Sequence, residues 1–183
     1  MADLILSNSA TTLDSASESA VHTEAPSGAG QDRDLIELLF FAYRDFVRDA
    51  DDRLAGDGFG RAHHRVLHFV NRVPGLKVAD LLAILKITKQ SLGRVLRDLV
   101  QQEFVEIREG EADRRHRLLY ATGSGARLAE ELAGLQLRRI EAALAGAGPG
   151  AGAAAARFLF GMIDADERTL VADLLARSAD RAR

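Results

Sequence analysis

The stretch that decides the reading lies between residues 74 and 99. It runs Pro74-Gly75-Leu76-Lys77-Val78-Ala79-Asp80-Leu81-Leu82 and then Leu85-Lys86-Ile87-Thr88-Lys89-Gln90-Ser91-Leu92-Gly93-Arg94-Val95-Leu96-Arg97-Asp98-Leu99. Pro74-Gly75 is a firm stop. Val78, Leu81, Leu82 and Leu85 then recur at three- and four-residue steps, which predicts a short helix over 78–85. After a break at Lys86-Ile87, Thr88 is placed to cap a longer helix over 89–102, although no acidic residue completes a capping box. Leu92, Val95, Leu96 and Leu99 face inward on it, while Lys89, Gln90, Ser91, Arg94 and Arg97 face out.

Downstream the period changes. Phe104, Val105 and Ile107 mark a strand, residues 108–115 (REGEADRR) a polar turn, and residues 116–121 (HRLLYA) a returning strand, so a β-hairpin with a charged tip is expected. Upstream, a helix over 61–72 carries Val66, Phe69 and Val70 inward, with Val73 just past its end. Before that, the apolar residues Leu35, Leu38, Leu39, Ala42, Phe46 and Leu54, widened by Phe40, Phe41 and Tyr43, mark a first helix from Asp32. A stripe this wide predicts burial on more than one side, and hence a partner subunit. Thr122 caps a helix over about 124–147, interrupted by Gly146, Gly148 and Pro149. An Ala-rich segment over 151–162 reads as a close-packed helix rather than a linker, and a last helix over 164–177 turns Leu170, Leu174 and Leu175 inward.

Helix, helix, short helix, turn, helix and hairpin, in that order, make a winged helix–turn–helix. The fold class is mainly α (α+β), with further helices on either side of the winged helix–turn–helix. A helix fits the major groove, and its first turn must carry side chains that reach base edges. Thr88, Lys89, Gln90, Ser91 and Arg94 occupy that turn, with Arg97 beyond them. Gln pairs with adenine, Lys and Arg with guanine, and Ser or Thr with phosphate. A hairpin tip with Arg114, Arg115 and Arg117 reaches the narrow minor groove of A·T tracts.

Charge supports this once it is divided. The 183-residue chain is −3 overall, which argues weakly against nucleic acid, but residues 1–29 carry −4, 30–57 carry −4, 58–122 carry +5 and 123–183 carry 0. Binding depends on the local field, not the sum. The chain has no cysteine, which excludes a disulfide scaffold, a zinc ribbon, an iron–sulfur site and thiol chemistry. No carboxylate pair, nucleophile–base spacing, phosphate loop or dinucleotide glycine pattern is present, so an enzyme is not expected. No cofactor is implied. Residues 1–29, rich in Ser, Ala, Thr and acids, read as a disordered tail. Leu4-Ile5-Leu6 is too short for a signal segment, and no run of ~18 apolar residues implies a membrane span.

The quoted pieces resemble the MarR family of bacterial transcription regulators over about residues 61–132. The Asp113-Arg114-Arg115 wing followed by Ala121-Thr122 and Gly125 is the most specific part, and the His-rich helix with Ile87–Ser91 is similar to the PetP-type branch. The resemblance implies recognition-helix roles for Thr88, Lys89, Gln90, Ser91 and Arg94, a wing-tip role for Arg115, and a wing-orienting role for Asp113. It also implies a cytoplasmic homodimer with interleaved first and last helices, a pseudo-palindromic DNA operator, and a small-molecule pocket between the DNA and dimer regions. On that basis the chain divides into a tail (1–29), a dimerisation helix (30–60), the DNA-binding domain (61–122) and C-terminal dimerisation helices (123–183). Pocket candidates are Phe41, Arg44, His63, Leu67 and Phe69. His64 and His68, one helical turn apart, are spaced to share a metal or haem, although the segment lacks the glutamate of a zinc hydrolase. The plainer expectation is that the histidines hydrogen-bond against the first helix or a partner subunit. A winged-helix module used only for protein–protein assembly is the remaining alternative.

Overall fold

The structure is a computed structural model, and it describes residues 31–110, 113 and 115–181. The acidic tail and Arg114 lie outside the described residues. The elements run α1 (Gln31–Ala55), α2 (Arg61–Arg72), β1 (Leu76–Lys77), α3 (Val78–Leu85), α4 (Lys89–Gln101), β2 (Val105–Glu109), β3 (Arg117–Ala121), α5 (Gly123–Ala147), α6 (Ala151–Gly161) and α7 (Arg168–Arg181). The chain divides into two compact units, Met1–Leu38 and Leu39–Arg183. In the first, the described residues are the opening turns of α1, where Leu35, Ile36 and Leu38 are exposed. The second unit holds everything that follows.

Its core is built on the residues that the 3.6 period selects. Leu81 and Leu85 of α3, Leu92, Val95, Leu96 and Leu99 of α4, and Val66, Leu67 and Val70 of α2 are all buried together. Leu128, Ala129 and Leu132 of α5 close one side, and Ala50 and Leu54 of α1 another. The antiparallel sheet has the order β1-β3-β2, with Leu119 in its middle facing Leu76 on one side and Ile107 on the other. Leu119 is fully buried. The two-residue strand β1 is too short to leave a sequence signal. It pairs because the Pro74-Gly75 turn brings the Gly75 N–H within 2.8 Å of the Leu119 carbonyl.

Both predicted threonine caps form. Thr88 Oγ1 accepts from the Ser91 N–H at 3.1 Å, and Thr122 Oγ1 accepts from the Gly125 N–H at 3.0 Å while donating to the Glu103 carbonyl at 2.6 Å. Each satisfies an N–H that would otherwise lack an intrahelical partner. Gly125 is fixed by space: a Cβ there would sit 1.9 Å from the Phe104 carbonyl oxygen. The α5 start is therefore seated directly on the backbone that leads into the wing. Lys86, at the α3 C-cap, takes a left-handed φ of 49° and closes the helix onto the Leu82 carbonyl. That reversal is the turn of the helix–turn–helix.

The flanking helices depart from expectation. Of the six stripe residues read on α1, only Leu54 is buried. Val47 and Ala50 join it, Phe46 is half-buried, and Leu35, Leu38, Leu39 and Ala42 are exposed. A stripe reports which face is apolar, not whether its own chain covers that face. The Ala-rich segment is a helix, as expected, but no residue of α6 is buried, so its alanines are not closely packed within this chain. α7 begins at Arg168 rather than at residue 164, because residues 164–167 form a turn. Arg168 ties that turn down through the Ile163 and Gly161 carbonyls, both at 2.9 Å. Leu170 and Leu174 are half-buried, and Leu175, read as inward, is exposed. Two ion pairs join α1 to α5, Arg53–Glu131 and Arg139–Asp49, each at 2.7 Å.

Candidate nucleic-acid interface

α4 places its polar residues as the period requires. Thr88, Lys89, Gln90, Ser91, Arg94 and Arg97 are all exposed, and they lie opposite the buried Leu92, Leu96 and Leu99. Among the described residues no carboxylate pairs with Lys89, Arg94 or Arg97. Their charge is therefore not neutralised by any of the described residues. Thr88 differs from its neighbours: its hydroxyl caps the helix and also donates to Ser91 Oγ at 2.9 Å. That leaves the Ser91 hydroxyl hydrogen free to donate outward, while Thr88 acts as a fixed cap.

The wing is a short, tied hairpin. Glu109 pairs with Arg117 in register, and the Gly110 N–H donates to the His116 carbonyl at 3.0 Å. A Cβ on Gly110 would lie 2.8 Å from the Asp113 carbonyl oxygen, so the turn needs glycine there. Asp113 Oδ1 accepts from the Arg115 N–H at 2.9 Å. That is the physical content of the orienting acid: the carboxylate sets the backbone from which Arg115 projects. Arg115 is exposed at the tip, whereas Arg117 faces Glu109 at 3.5 Å and is partly neutralised. Behind the tip, the Arg108 guanidinium lies 4.4 Å from the Tyr120 ring centre.

Together these parts define a winged helix–turn–helix of the kind that binds duplex DNA. A sequence profile described as the MarR family matches residues 57–116. The chain is 48% identical over 129 residues to the "HTH-type transcriptional regulator PetP" of Rhodobacter capsulatus, covering 70% of this chain and 78% of that one. Among solved structures it is similar to Streptococcus pneumoniae FabT in complex with DNA (TM-score 0.64, 16% identity, 78% of this chain and 99% of that one). It is also similar to the S. aureus MepR–DNA complex (TM-score 0.58, 17% identity, 69% and 93%). The chain belongs to the MarR family, and is a winged-helix, DNA-binding transcription regulator rather than an enzyme.

The histidines and the pocket candidates distribute differently from the sequence reading. A cavity of about 250 Å³ lies between α1, α2 and α5, walled by Tyr43, Phe46, Val47 and Phe69, with His64, His68, Arg61 and Arg65 also lining it. Of the five candidates, only Phe69 lines it. Leu67 is buried in the core, and Phe41 is exposed beneath the Arg44 guanidinium, which pairs with Asp45. His63 faces the opposite way, toward α4. Its ring stacks on Phe59 with centres 4.6 Å apart, and its Nε2 lies 3.2 Å from Asp98 Oδ2. The expected histidine contacts with the first helix are therefore not what His63 makes.

His64 and His68 both line the cavity, and burial lowers the pKa of each below the ordinary histidine value. Asp51 opposes the shift for His64 and Glu130 opposes it for His68, while Arg72 and His64 add to it at His68. Among the described residues, no group of three or more His, Cys, Asp or Glu side chains is placed to hold a metal. Also among them, no helix is long and apolar enough to cross a membrane. No sequence pattern marks the His63–Asp98 contact, nor Arg65 Nη2 donating to the Leu85 carbonyl at 3.1 Å. Both join residues at least 20 positions apart with no shared period.

Proposed function

We propose that this protein acts as a cytoplasmic homodimer that reads a pseudo-palindromic operator, with α4 in the major groove and the wing at the adjacent minor groove. The observation that carries the reading is the unneutralised outer face of α4: Lys89, Gln90, Arg94 and Arg97 are exposed and free of internal ion pairs among the described residues. Gln90 would read adenine, Lys89 and Arg94 guanine, and Ser91 phosphate. Arg115 at the wing tip, set by Asp113, would enter the minor groove. Arg117 would contribute less, because Glu109 competes for it. Arg114 is carried over from the sequence alone.

The dimer is supported by apolar side chains left uncovered. Phe40, Phe41 and Tyr43 on α1, Ile140 on α5 and Phe158 and Leu159 on α6 are exposed, more apolar surface than a monomer usually leaves to water. A second copy would cover them and set two α4 helices about one DNA turn apart, near ~34 Å. Selection of bound duplexes from a random library should return two inverted half-sites at that spacing. Enrichment of no sequence would overturn the reading. Oligomerisation that ignores Arg94→Ala and Arg115→Ala, with no operator found, would favour the assembly-only module.

The cavity between α1, α2 and α5 supports a small-molecule effector as the regulatory input, since it joins apolar walls to two arginines and two imidazoles. By linkage, an effector that releases DNA must prefer the dimer conformation that does not bind DNA. The metal or haem alternative through His64 and His68 has two imidazoles and no third protein donor among the described residues. With no thiol available, regulation does not run through cysteine oxidation.

A further inference from the structure

We propose that His63 is a positioning residue for sequence reading: through Asp98 it fixes the rotation and axial position of α4, and with it the aim of Gln90 and Arg94. The inference rests on the DNA-reading role of α4 proposed above.

The geometry leaves a single proton arrangement. The Gly60 N–H donates to His63 Nδ1 at 3.2 Å, so Nδ1 is the unprotonated nitrogen and Nε2 carries the hydrogen. Nε2 then donates to Asp98 Oδ2 at 3.2 Å. The ring is held from a third direction by Phe59, stacked 4.6 Å away and itself buried against Phe104. An imidazole fixed on three sides makes a stiff strut between the N-terminus of α2 and the flank of α4.

That strut supplies what the core does not. The inner face of α4 is Leu92, Val95, Leu96 and Leu99, and apolar contact of this kind is non-directional. Such a helix can rotate or slide slightly at small cost. At about 100° per residue, Asp98 lies roughly 40° around the helix from Arg94, on the shoulder between the buried and exposed faces. A hydrogen bond at that point resists rotation most effectively. The preceding helix is held from the same turn of α2, where Arg65 Nη2 reaches the Leu85 carbonyl at 3.1 Å, next to the left-handed Lys86. One turn of α2 thus grips both helices of the helix–turn–helix.

The consequence is specific to base reading. Bidentate contacts to base edges need the helix aimed to a fraction of an ångström, whereas phosphate contacts tolerate small shifts. Losing the strut should lower discrimination and leave non-specific affinity nearly intact. Asp98 also repels phosphate, so removing it changes charge as well as geometry. Asp98→Asn and Asp98→Ala remove the same charge, but only asparagine keeps an oxygen acceptor for His63.

The test uses the full chain and two duplexes, one selected by the wild-type protein from a random library and one of mixed sequence. The quantity read is the ratio of the two affinities at fixed salt. Asp98→Ala and His63→Ala are each expected to lower the ratio about tenfold, the scale of one hydrogen bond to a charged group. Asp98→Asn should stay within about twofold of wild type, and the double Ala variant should be no worse than either single one. Asp98→Ala and Asp98→Asn should bind the mixed duplex equally. The proposal is overturned if Asp98→Ala keeps the wild-type ratio, or if Asp98→Asn falls as far as Asp98→Ala. Asp98 is partly exposed, so its variants remain informative even where His63→Ala folds poorly. A wild-type protein that retards neither duplex refutes instead the function on which the inference rests.

Discussion

The reading module and the helices that flank it obey different rules. In residues 58–122 most apolar positions are buried by their own chain: Val66, Leu81, Leu92, Leu99 and Leu119 show almost no exposed surface, and Val100 and Ile107 are the exceptions among the large apolar side chains described. In α6 nothing is buried, and on α1 Phe40 and Phe41 stand in solvent. The charges divide the same way, +5 in the module against −4 in the preceding 28 residues, 30–57. The difference teaches that one chain is sufficient to build the module, whereas the flanks carry apolar surface that the chain itself leaves uncovered, as the proposed dimer requires.

The contrast should break most visibly with paired substitutions. Leu99→Ala opens a cavity in the module core and is expected to cost about 2–5 kcal/mol of stability. Phe158→Ser, by contrast, should change monomer stability by about 0.5 kcal/mol or less while lowering the sedimentation coefficient, as the proposed dimer requires. Denaturation and sedimentation of both variants check this together. If Phe158→Ser left association untouched, α6 would not belong to the dimer surface.

Gly125→Ala comes next. A Cβ 1.9 Å from the Phe104 oxygen must displace the α5 start from the wing, at roughly 1–3 kcal/mol. Thermal unfolding should register the loss, and the wing amides should exchange faster. Gly146→Ala, where a Cβ meets nothing within 4 Å, is the control expected to be neutral or mildly stabilising.

The smallest expected effect is on pH. Burial holds His64 and His68 neutral, with pKa values below the unfolded ~6.5. The unfolded chain therefore takes up protons first as the pH drops. Stability is full above about pH 6.5 and declines progressively below it. A thermal midpoint that falls between pH 7.5 and 5.5, with a shallower fall in the His64→Gln/His68→Gln variant, is the expected outcome. Equal slopes would mean that other groups dominate.

How much of this was legible depended on period and spacing. α2, α3, α4 and the hairpin each announce themselves by local repetition, and Thr88 and Thr122 cap the helices that the sequence assigned them. β1 has two residues and no period. The α7 start falls four residues later than the period suggests, because residues 164–167 form a turn that Arg168 stabilises from beyond it. Of the residues read as a pocket, only Phe69 lines the cavity, since a space between three helices depends on how they cross and not on any one stripe. The sequence alone places His63 against the first helix or a partner subunit. Its partner Asp98 is 35 residues away on α4, a pairing that only the folded chain brings together.

The most direct test of the central claim is the salt dependence of affinity for a selected duplex, measured for wild type, Arg94→Ala and Arg115→Ala. The account predicts a linear log–log fall of about −0.9 per neutralised phosphate, with Arg115→Ala shallower by about one phosphate. Arg94→Ala should lose preference for the selected duplex, by roughly 1–3 kcal/mol for a bidentate base contact. No retardation at low salt, or slopes and preferences indifferent to both arginines, would contradict it.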